Sequence, residues 1–199
     1  MKLPVSGKYL SYALKKECRV GNVTLSQHSA GDLRLPSGKL VACDPVAYPE
    51  TGAFLQPLPR GTFTVFLSVA RVSGDQRVAF ATIRFKEKSP LKWRVLTVSD
   101  EEDSLGYGVD SGVAGFMDRS ALASMMRQVR KDQQAFCETM DAEMKKTAVD
   151  TWSWMNMPFG KGNLVAFSPG WGDGEYVTYA GFDSTGAVSV VVTDFSVVE

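Results

Sequence analysis

The chain has 199 residues, of which 44% are hydrophobic and 22% charged, the composition of a globular protein that can bury a substantial core. Its 22 basic residues balance its 22 acidic residues, which disfavours generic nucleic-acid binding, because neutralising phosphates needs surplus positive charge. No stretch approaches the ~20 apolar residues of a membrane span, and the first residues lack the apolar run of a signal peptide. We therefore expect a single cytoplasmic domain over residues 1–199, with neither a nucleic-acid nor a membrane partner.

Cysteine and histidine usage excludes several chemistries. Three widely spaced cysteines, Cys18, Cys43 and Cys137, build neither a disulfide framework nor a zinc-ligand pattern, so we expect free, buried or half-buried thiols. The single histidine, His28, lies in a polar region, and the chain has no nucleophile-elbow motif for a serine hydrolase. We expect His28 to be exposed or hydrogen-bonded.

The first 100 residues are predicted to be β-rich. Alternating apolar residues indicate short strands at 22–27, 33–35 and 39–43. Gly31-Asp32 and Pro36-Ser37-Gly38 indicate turns between them. Residues 44–60 contain four prolines and are predicted to form a connecting loop, because proline lacks the amide donor that a strand interior needs.

Three better-defined strands follow at 62–72, 77–86 and 91–98. The first places alternate apolar residues on one face, and Ser73-Gly74-Asp75 is typical of a hairpin turn. The third alternates apolar residues with Lys92 and Arg94, which indicates one buried and one solvated face. We predict a three-stranded antiparallel meander.

A glycine-rich region and a helical region come next. An acidic run at 99–104, which includes Glu101, Glu102 and Asp103, is typical of a solvated loop. Residues 106–118 hold four glycines in 13 positions, which favours turns or close backbone approach over helix.

Residues 119–148 are predicted to be a helical insertion with Asp118 as its N-cap. Its apolar residues recur at helical spacing on one face: Leu122, Met126, Val129, Phe136, Met140 and Met144. Gln133 interrupts this stripe, so one long helix and two shorter helices are both compatible with the pattern. The methionines at helical spacing favour core packing over a promiscuous binding surface.

The C-terminal segment, 163–198, is predicted to form a β-hairpin. A short apolar strand at 163–167 precedes the turn 170–174, which leads into an aromatic strand, and the turn 183–186 leads into a valine strand. The fold class we predict is therefore α+β, predominantly antiparallel β-sheet built of a meander and hairpins, with one long or two shorter helices between residues 119 and 148.

The carboxylates are the remaining candidates for chemistry. Six of them lie near glycines or strands: Asp110, Asp118, Asp173, Glu175, Asp183 and Asp194. They match neither the calcium-loop spacing nor another metal pattern, and no phosphate-binding glycine motif is present, so we expect no metal, cofactor or catalytic residue. Aspartate beside glycine is typical of turns, because its side chain accepts bonds from nearby amides. Asp194, in a valine strand, is expected to be buried and paired with a structural partner such as an arginine.

Several segments resemble a bacterial family catalogued as domain of unknown function 4241. The resemblance is carried by Gly106-Tyr107-Gly108-Val109-Asp110-Ser111-Gly112 with Phe116 and Asp118, by 163–168, by 170–174 with Tyr176, Tyr179, Gly181, Asp183 and Gly186, by Thr193-Asp194-Phe195, and by Pro57-Leu58-Pro59-Arg60-Gly61. The family has no established activity and implies no catalytic residue. We interpret Asp110, Ser111, Asp118 and Asp194 as a structural motif.

The chain also resembles small neutralising proteins encoded beside secreted bacterial toxins, including type VI secretion effectors. This resemblance implies a cytoplasmic immunity protein that occludes a cognate toxin, for example a nuclease. Acidic loops suit that role, since carboxylates imitate the phosphates that a basic site expects. The candidate contact residues are Glu101, Glu102 and Asp103, or Asp173 and Glu175 with Trp171 as an aromatic anchor.

Two alternatives stay open. One is a metal-assisted or acid/base hydrolase that uses Asp110, Ser111, Asp118 and Asp173, which requires these side chains to converge. The other is a non-catalytic structural or regulatory subunit.

Overall fold

The computed structural model describes residues 7–99 and 105–198, and within them it shows two antiparallel β-sheets and a layer of helices. The helices are α1 (Gly7–Leu10), which continues into a 3₁₀ turn (Ser11–Leu14), α2 (Arg119–Lys131) and α3 (Gln133–Lys145). The strands in chain order are β1 (Glu17–Val20), β2 (Val23–Leu35), β3 (Leu40–Cys43), β4 (Gly61–Val72), β5 (Asp75–Arg84), β6 (Lys92–Val95), β7 (Tyr107–Val109), β8 (Ala114–Asp118), β9 (Trp154–Phe159), β10 (Gly162–Phe167), β11 (Gly174–Phe182) and β12 (Val188–Asp194). The predicted α+β class with predominantly antiparallel sheets is confirmed.

The strands divide between a larger and a smaller sheet. The larger sheet has the order β1-β2-β4-β5-β12-β11-β6, and β7 pairs with β11 next to β6. The smaller sheet has the order β3-β8-β10-β9. The chain therefore crosses between the sheets four times: between β2 and β3, between β3 and β4, between β7 and β8, and between β10 and β11.

The smaller sheet lies between the larger sheet and helices α2 and α3, whereas Leu10 of α1 packs in the core of the larger sheet. On β8 and β10, Phe116, Val165 and Phe167 belong to the core shared with the larger sheet, whereas Met117 and Leu164 pack with the helices. Both faces are thus buried, which explains why residues 164–167 of β10 are all apolar instead of alternating.

The predicted hairpin of β4 and β5 is confirmed, but the meander is wrong at its third strand. The two strands pair up to the turn, from Val69 opposite Val78 to Val72 opposite Asp75. In the turn, Ser73 has φ +50° and Gly74 has φ +87°. β6 instead pairs with β11, because β12 occupies the edge of β5. The exposed Lys92 and Arg94 of β6 suit an edge strand, since charges there discourage pairing with other chains.

Two further predicted boundaries are wrong. Gly31-Asp32 is a bulge inside the continuous strand β2, where the pairing with β4 shifts between Ser29 and Asp32. Gly31 has φ +87°, and a Cβ there would lie 2.8 Å from Nδ2 of Asn156. In the C-terminal segment, β10 belongs to the smaller sheet, so the hairpin itself consists of β11 and β12 alone.

Of the two helical alternatives, the structure contains two shorter helices. Asp132 leaves the helical conformation with φ −162°, and its carboxylate accepts a bond from Ala135 N, which starts α3. The predicted N-cap of α2 is confirmed, because Asp118 accepts a bond from Ser120 N. No helix among the described residues reaches the length and apolarity that crossing a membrane requires.

We predict that Phe167→Ala weakens the contact between the two sheets. The Phe167 ring is fully buried, with its centroid 5.4 Å from that of Phe116 and 5.8 Å from that of Phe195. The cavity should lower the free energy of unfolding by about 3–5 kcal/mol, measured by chemical denaturation. Phe182→Ala, at a half-buried position on β11, is the control and should cost less than about 2 kcal/mol. Equal losses in the two variants would contradict the predicted role of Phe167.

Candidate functional site

The buried carboxylate of Asp44, just after β3, is the centre of a hydrogen-bond cluster. One oxygen, Oδ1, accepts bonds from Val46 N and Ala47 N, both at 2.8 Å, and from Ser111 Oγ at 2.7 Å. The other, Oδ2, accepts bonds from Asp110 N at 2.9 Å and Ser111 N at 2.7 Å. Burial alone would raise the pKa of Asp44, but the bonds from Ala47, Asp110 and Ser111 outweigh it and lower the pKa below its ordinary value.

This cluster ties together two of the four places where the chain passes between the sheets. Asp44 opens the loop from β3 to β4, and Asp110 and Ser111 lie in the turn from β7 to β8. The Asp110 side chain is exposed, and its contribution to the cluster is its backbone amide. Sequence reasoning missed Asp44, because a single aspartate before a proline-rich loop carries no signal that distinguishes it from a solvated turn residue.

Two other buried carboxylates stabilise turns in the same way. Asp118 accepts bonds from the amides and hydroxyls of Ser37 and Ser120, which joins the turn before β3 to the start of α2. Asp183 accepts bonds from the hydroxyl and amide of Thr185 and from Lys86 Nζ at 3.1 Å. The Thr185 hydroxyl is the main cause of a lowered pKa at Asp183, despite the opposing effect of burial.

The prediction for Asp194 is wrong. Its side chain is half buried at the end of β12 and accepts a bond from the backbone amide of Ser196 at 2.9 Å. None of the described arginines forms an ion pair with it. Through this bond Asp194 caps the turn that follows β12. Its partial burial raises the pKa of its carboxyl group.

The candidate hydrolase residues do not meet at one place. Asp110 and Ser111 contact Asp44. Asp118 lies at the other end of β8, where its carboxylate accepts hydrogen bonds from the hydroxyls of Ser37 and Ser120. Asp173 is exposed on the turn before β11. Within the part of the chain that the structure describes, no three His, Cys, Asp or Glu side chains are placed to hold a metal ion.

The predicted thiols and His28 behave as expected. Cys43 is a buried free thiol and Cys18 and Cys137 are half-buried free thiols. His28 is exposed, its Nε2 lies 3.1 Å from Ser26 Oγ, and its ring is 5.1 Å from that of Trp152.

Trp171 stands out on the surface before β11, with 57% of its area exposed. The Arg77 guanidinium lies 4.5 Å from the centre of the indole ring and donates a bond to Gly170 O at 3.1 Å. The carboxylate of Asp75 forms an ion pair with the same guanidinium at 2.8 Å. The ring is therefore exposed and yet fixed in orientation, because the cation that stacks on it is itself anchored.

Acidic residues and a second aromatic ring lie beyond Trp171. Asp173 and Glu175 are exposed, and Glu175 pairs across β11–β7 with Gly108. A Cβ on Gly108 would lie 3.5 Å from the ring of Tyr48, which is 50% exposed. Cross-strand partners share a face, so the Glu175 side chain projects from the face of the β11–β7 pair on which the Tyr48 ring lies.

We call the surface formed by Tyr48, Trp171, Asp173 and Glu175 the acidic tip. The sequence identified three of these residues and missed Tyr48, whose place depends on the long loop that Asp44 anchors. The other predicted contact residues, Glu101, Glu102 and Asp103, lie outside the residues that the structure describes.

Asp44→Asn should strongly destabilise the fold, because one carboxylate oxygen becomes an NH₂ group that faces backbone donors. We expect a loss of at least about 2–3 kcal/mol in the free energy of unfolding, measured in urea. Asp110→Asn is the matched control, since it changes an exposed side chain in the same cluster and should shift stability by less than about 0.5 kcal/mol. The role assigned to Asp44 is refuted if both variants unfold at the same urea concentration.

Stability should also fall in acid. The folded-state pKa of Asp44 lies below the ordinary 3.8, so its contribution is fully present above that value and is lost as the pH drops through the lower folded pKa. We expect the free energy of unfolding to decline from about pH 4 downwards, and the decline to be shallower in Asp44→Asn, where the part due to Asp183 remains. Parallel pH profiles for the two proteins would contradict this expectation.

Comparison with known proteins places the chain in one family. A family model described as "Protein of unknown function (DUF4241)" matches residues 33–193. No curated protein and no solved structure matches the chain. The matched span contains the Asp44 cluster, both turns with buried carboxylates and the whole acidic tip. Because the match covers most of the sequence, the chain belongs to the DUF4241 family.

Proposed function

We propose that this protein is a cytoplasmic immunity protein that binds a cognate secreted bacterial toxin through the acidic tip and occludes it. The observation that carries the proposal is the exposed indole of Trp171, held over Arg77 next to Asp173 and Glu175. Exposed aromatic rings flanked by charges are typical of the residues that dominate binding energy in protein interfaces.

The ordering of the tip supports a binding role. Arg77 fixes the indole, Tyr176 Oη donates to Gly172 O at 2.8 Å within the turn, and Tyr48 is placed against Gly108. A surface that is already ordered loses little conformational freedom on binding, so more of the contact energy appears as affinity. The two carboxylates give the tip a negative field, which favours a toxin with a basic site, such as a nuclease.

The arrangement of the carboxylates favours binding over hydrolysis. Asp44, Asp118 and Asp183 each accept several bonds from neighbouring amides and hydroxyls, and a general base needs a free oxygen within reach of its substrate. Among the described residues, Asp173 and Glu175 belong to no group of three or more His, Cys, Asp or Glu side chains that could hold a metal ion for hydrolysis.

The test is co-expression with the product of a neighbouring toxin gene, followed by affinity measurement and a growth-protection assay. Trp171→Ala should weaken the complex by roughly 30-fold, and Glu175→Lys by roughly tenfold with a reduced salt dependence. Leu91→Ala removes another exposed apolar side chain, 70% exposed and away from the tip, and should leave affinity unchanged. Circular dichroism would verify that the variants remain folded.

Two outcomes would count against the proposal. If the toxin forms no complex with this protein and is not inhibited by it, the proposed immunity role is refuted. A complex whose affinity is insensitive to Trp171→Ala and Glu175→Lys would show that another surface makes the contact.

A further inference from the structure

A second charged surface lies on α2 and shares no residue with the acidic tip. A groove of about 480 Å³ is lined there by three arginines, Arg119, Arg127 and Arg130, and by one carboxylate, Glu50. Leu122 and Met126 contribute apolar side chains to the same groove. In a chain whose formal charge is zero, this lining carries a surplus of positive charge.

Among the residues that the structure describes, two of the three guanidinium groups have no acidic partner. Arg130 is paired with Glu50 at 2.9 Å. Arg127 donates to Ser124 Oγ at 2.8 Å, and no described carboxylate lies within ion-pair distance of Arg119 or Arg127. Arg119 also begins α2, where a cation faces the positive end of the helix dipole and costs stability instead of adding to it. The described part of the chain therefore offers neither charge an ion-pair partner.

The spacing of the arginines indicates an extended anion. Arg119 and Arg127 are eight positions apart, which on a helix is about 12 Å along the axis and about 80° around it. About four residues of extended peptide span that distance and can bring a separate carboxylate to each guanidinium.

The composition of the groove favours an acidic peptide over a nucleic acid. Single-stranded nucleic acid is held by aromatic side chains on which the bases stack, and the groove lining contains none. Leu122 and Met126 instead offer contacts for apolar side chains. Glu50 of this chain already places a carboxylate on Arg130, which is the kind of contact that an acidic peptide would repeat along the row.

We propose that the α2 groove binds an acidic, extended segment of a partner protein, with carboxylates paired to Arg119 and Arg127 and apolar side chains against Leu122 and Met126. This site shares no residue with the acidic tip and has the opposite charge, so its existence does not depend on the toxin-binding proposal.

The probe is a fluorescein-labelled decapeptide of alternating glutamate and leucine, titrated with the full chain and followed by fluorescence anisotropy. We expect saturable binding that weakens as salt rises, because exposed ion pairs are screened. An alternating lysine and leucine decapeptide and a ten-nucleotide oligo-thymidine should bind at least roughly tenfold more weakly. Tighter binding of the oligonucleotide, or equal binding of the basic peptide, would overturn the proposal.

Variants test the site itself. Arg119→Glu combined with Arg127→Glu should weaken binding of the acidic peptide by roughly tenfold or more. If this charge reversal impairs folding, Arg119→Gln combined with Arg127→Gln tests the same site. Lys16→Glu combined with Lys88→Glu makes the same change in net charge at exposed positions elsewhere and should have little effect. Unchanged affinity in both arginine variants would refute the site.

Glu50→Gln provides a test of opposite sign. It releases Arg130 from its internal partner and should tighten binding of the acidic peptide by roughly threefold, whereas a purely structural role for the Glu50–Arg130 pair predicts no gain. Trp171→Ala, which removes the aromatic anchor of the acidic tip, should leave peptide binding unchanged. A loss in that variant would mean that the two surfaces are not separate.

Discussion

The burial of the Asp44 carboxylate is the constraint on which most of this structure depends. A buried charge is tolerated only when hydrogen bonds replace its water, and here they come from its own loop and from the turn between β7 and β8. Those two segments hold two of the four crossings of the chain between the sheets. Satisfying one carboxylate therefore also sets how the sheets are joined, and it anchors the loop that brings Tyr48 against β7.

The same solution recurs at Asp118 and Asp183, where buried carboxylates collect amide and hydroxyl donors at turns. Asp44, Asp118 and Asp183 thus order the backbone from buried positions, whereas Asp173 and Glu175 are exposed. Three arginines line the groove on α2. A formal charge of zero is therefore compatible with local surfaces of opposite sign.

Much of the local structure was predictable from the sequence. The β4–β5 and β11–β12 hairpins follow from alternation and from turn residues, and α2 follows from its apolar stripe and from Asp118 as cap. The pairing of β6 was not predictable, because β12, almost 100 residues further along the chain, competes for the edge of β5. Of the acidic tip, Trp171, Asp173 and Glu175 could be identified as an exposed turn, whereas Tyr48 could not.

The sequence by itself determined the α+β class and the positions of most strands and turns, because these depend on residues near one another in the chain. It also showed that familiar catalytic motifs are absent, because such motifs are defined by residue spacing. Tertiary structure alone decided which aspartates are buried. Asp194 looked internal because valines surround it, and Asp44 looked solvated because prolines follow it, yet Asp44 is the one fully enclosed. Burial depends on what packs over a residue from distant parts of the chain, and for Asp44 that partner is the turn at Asp110 and Ser111.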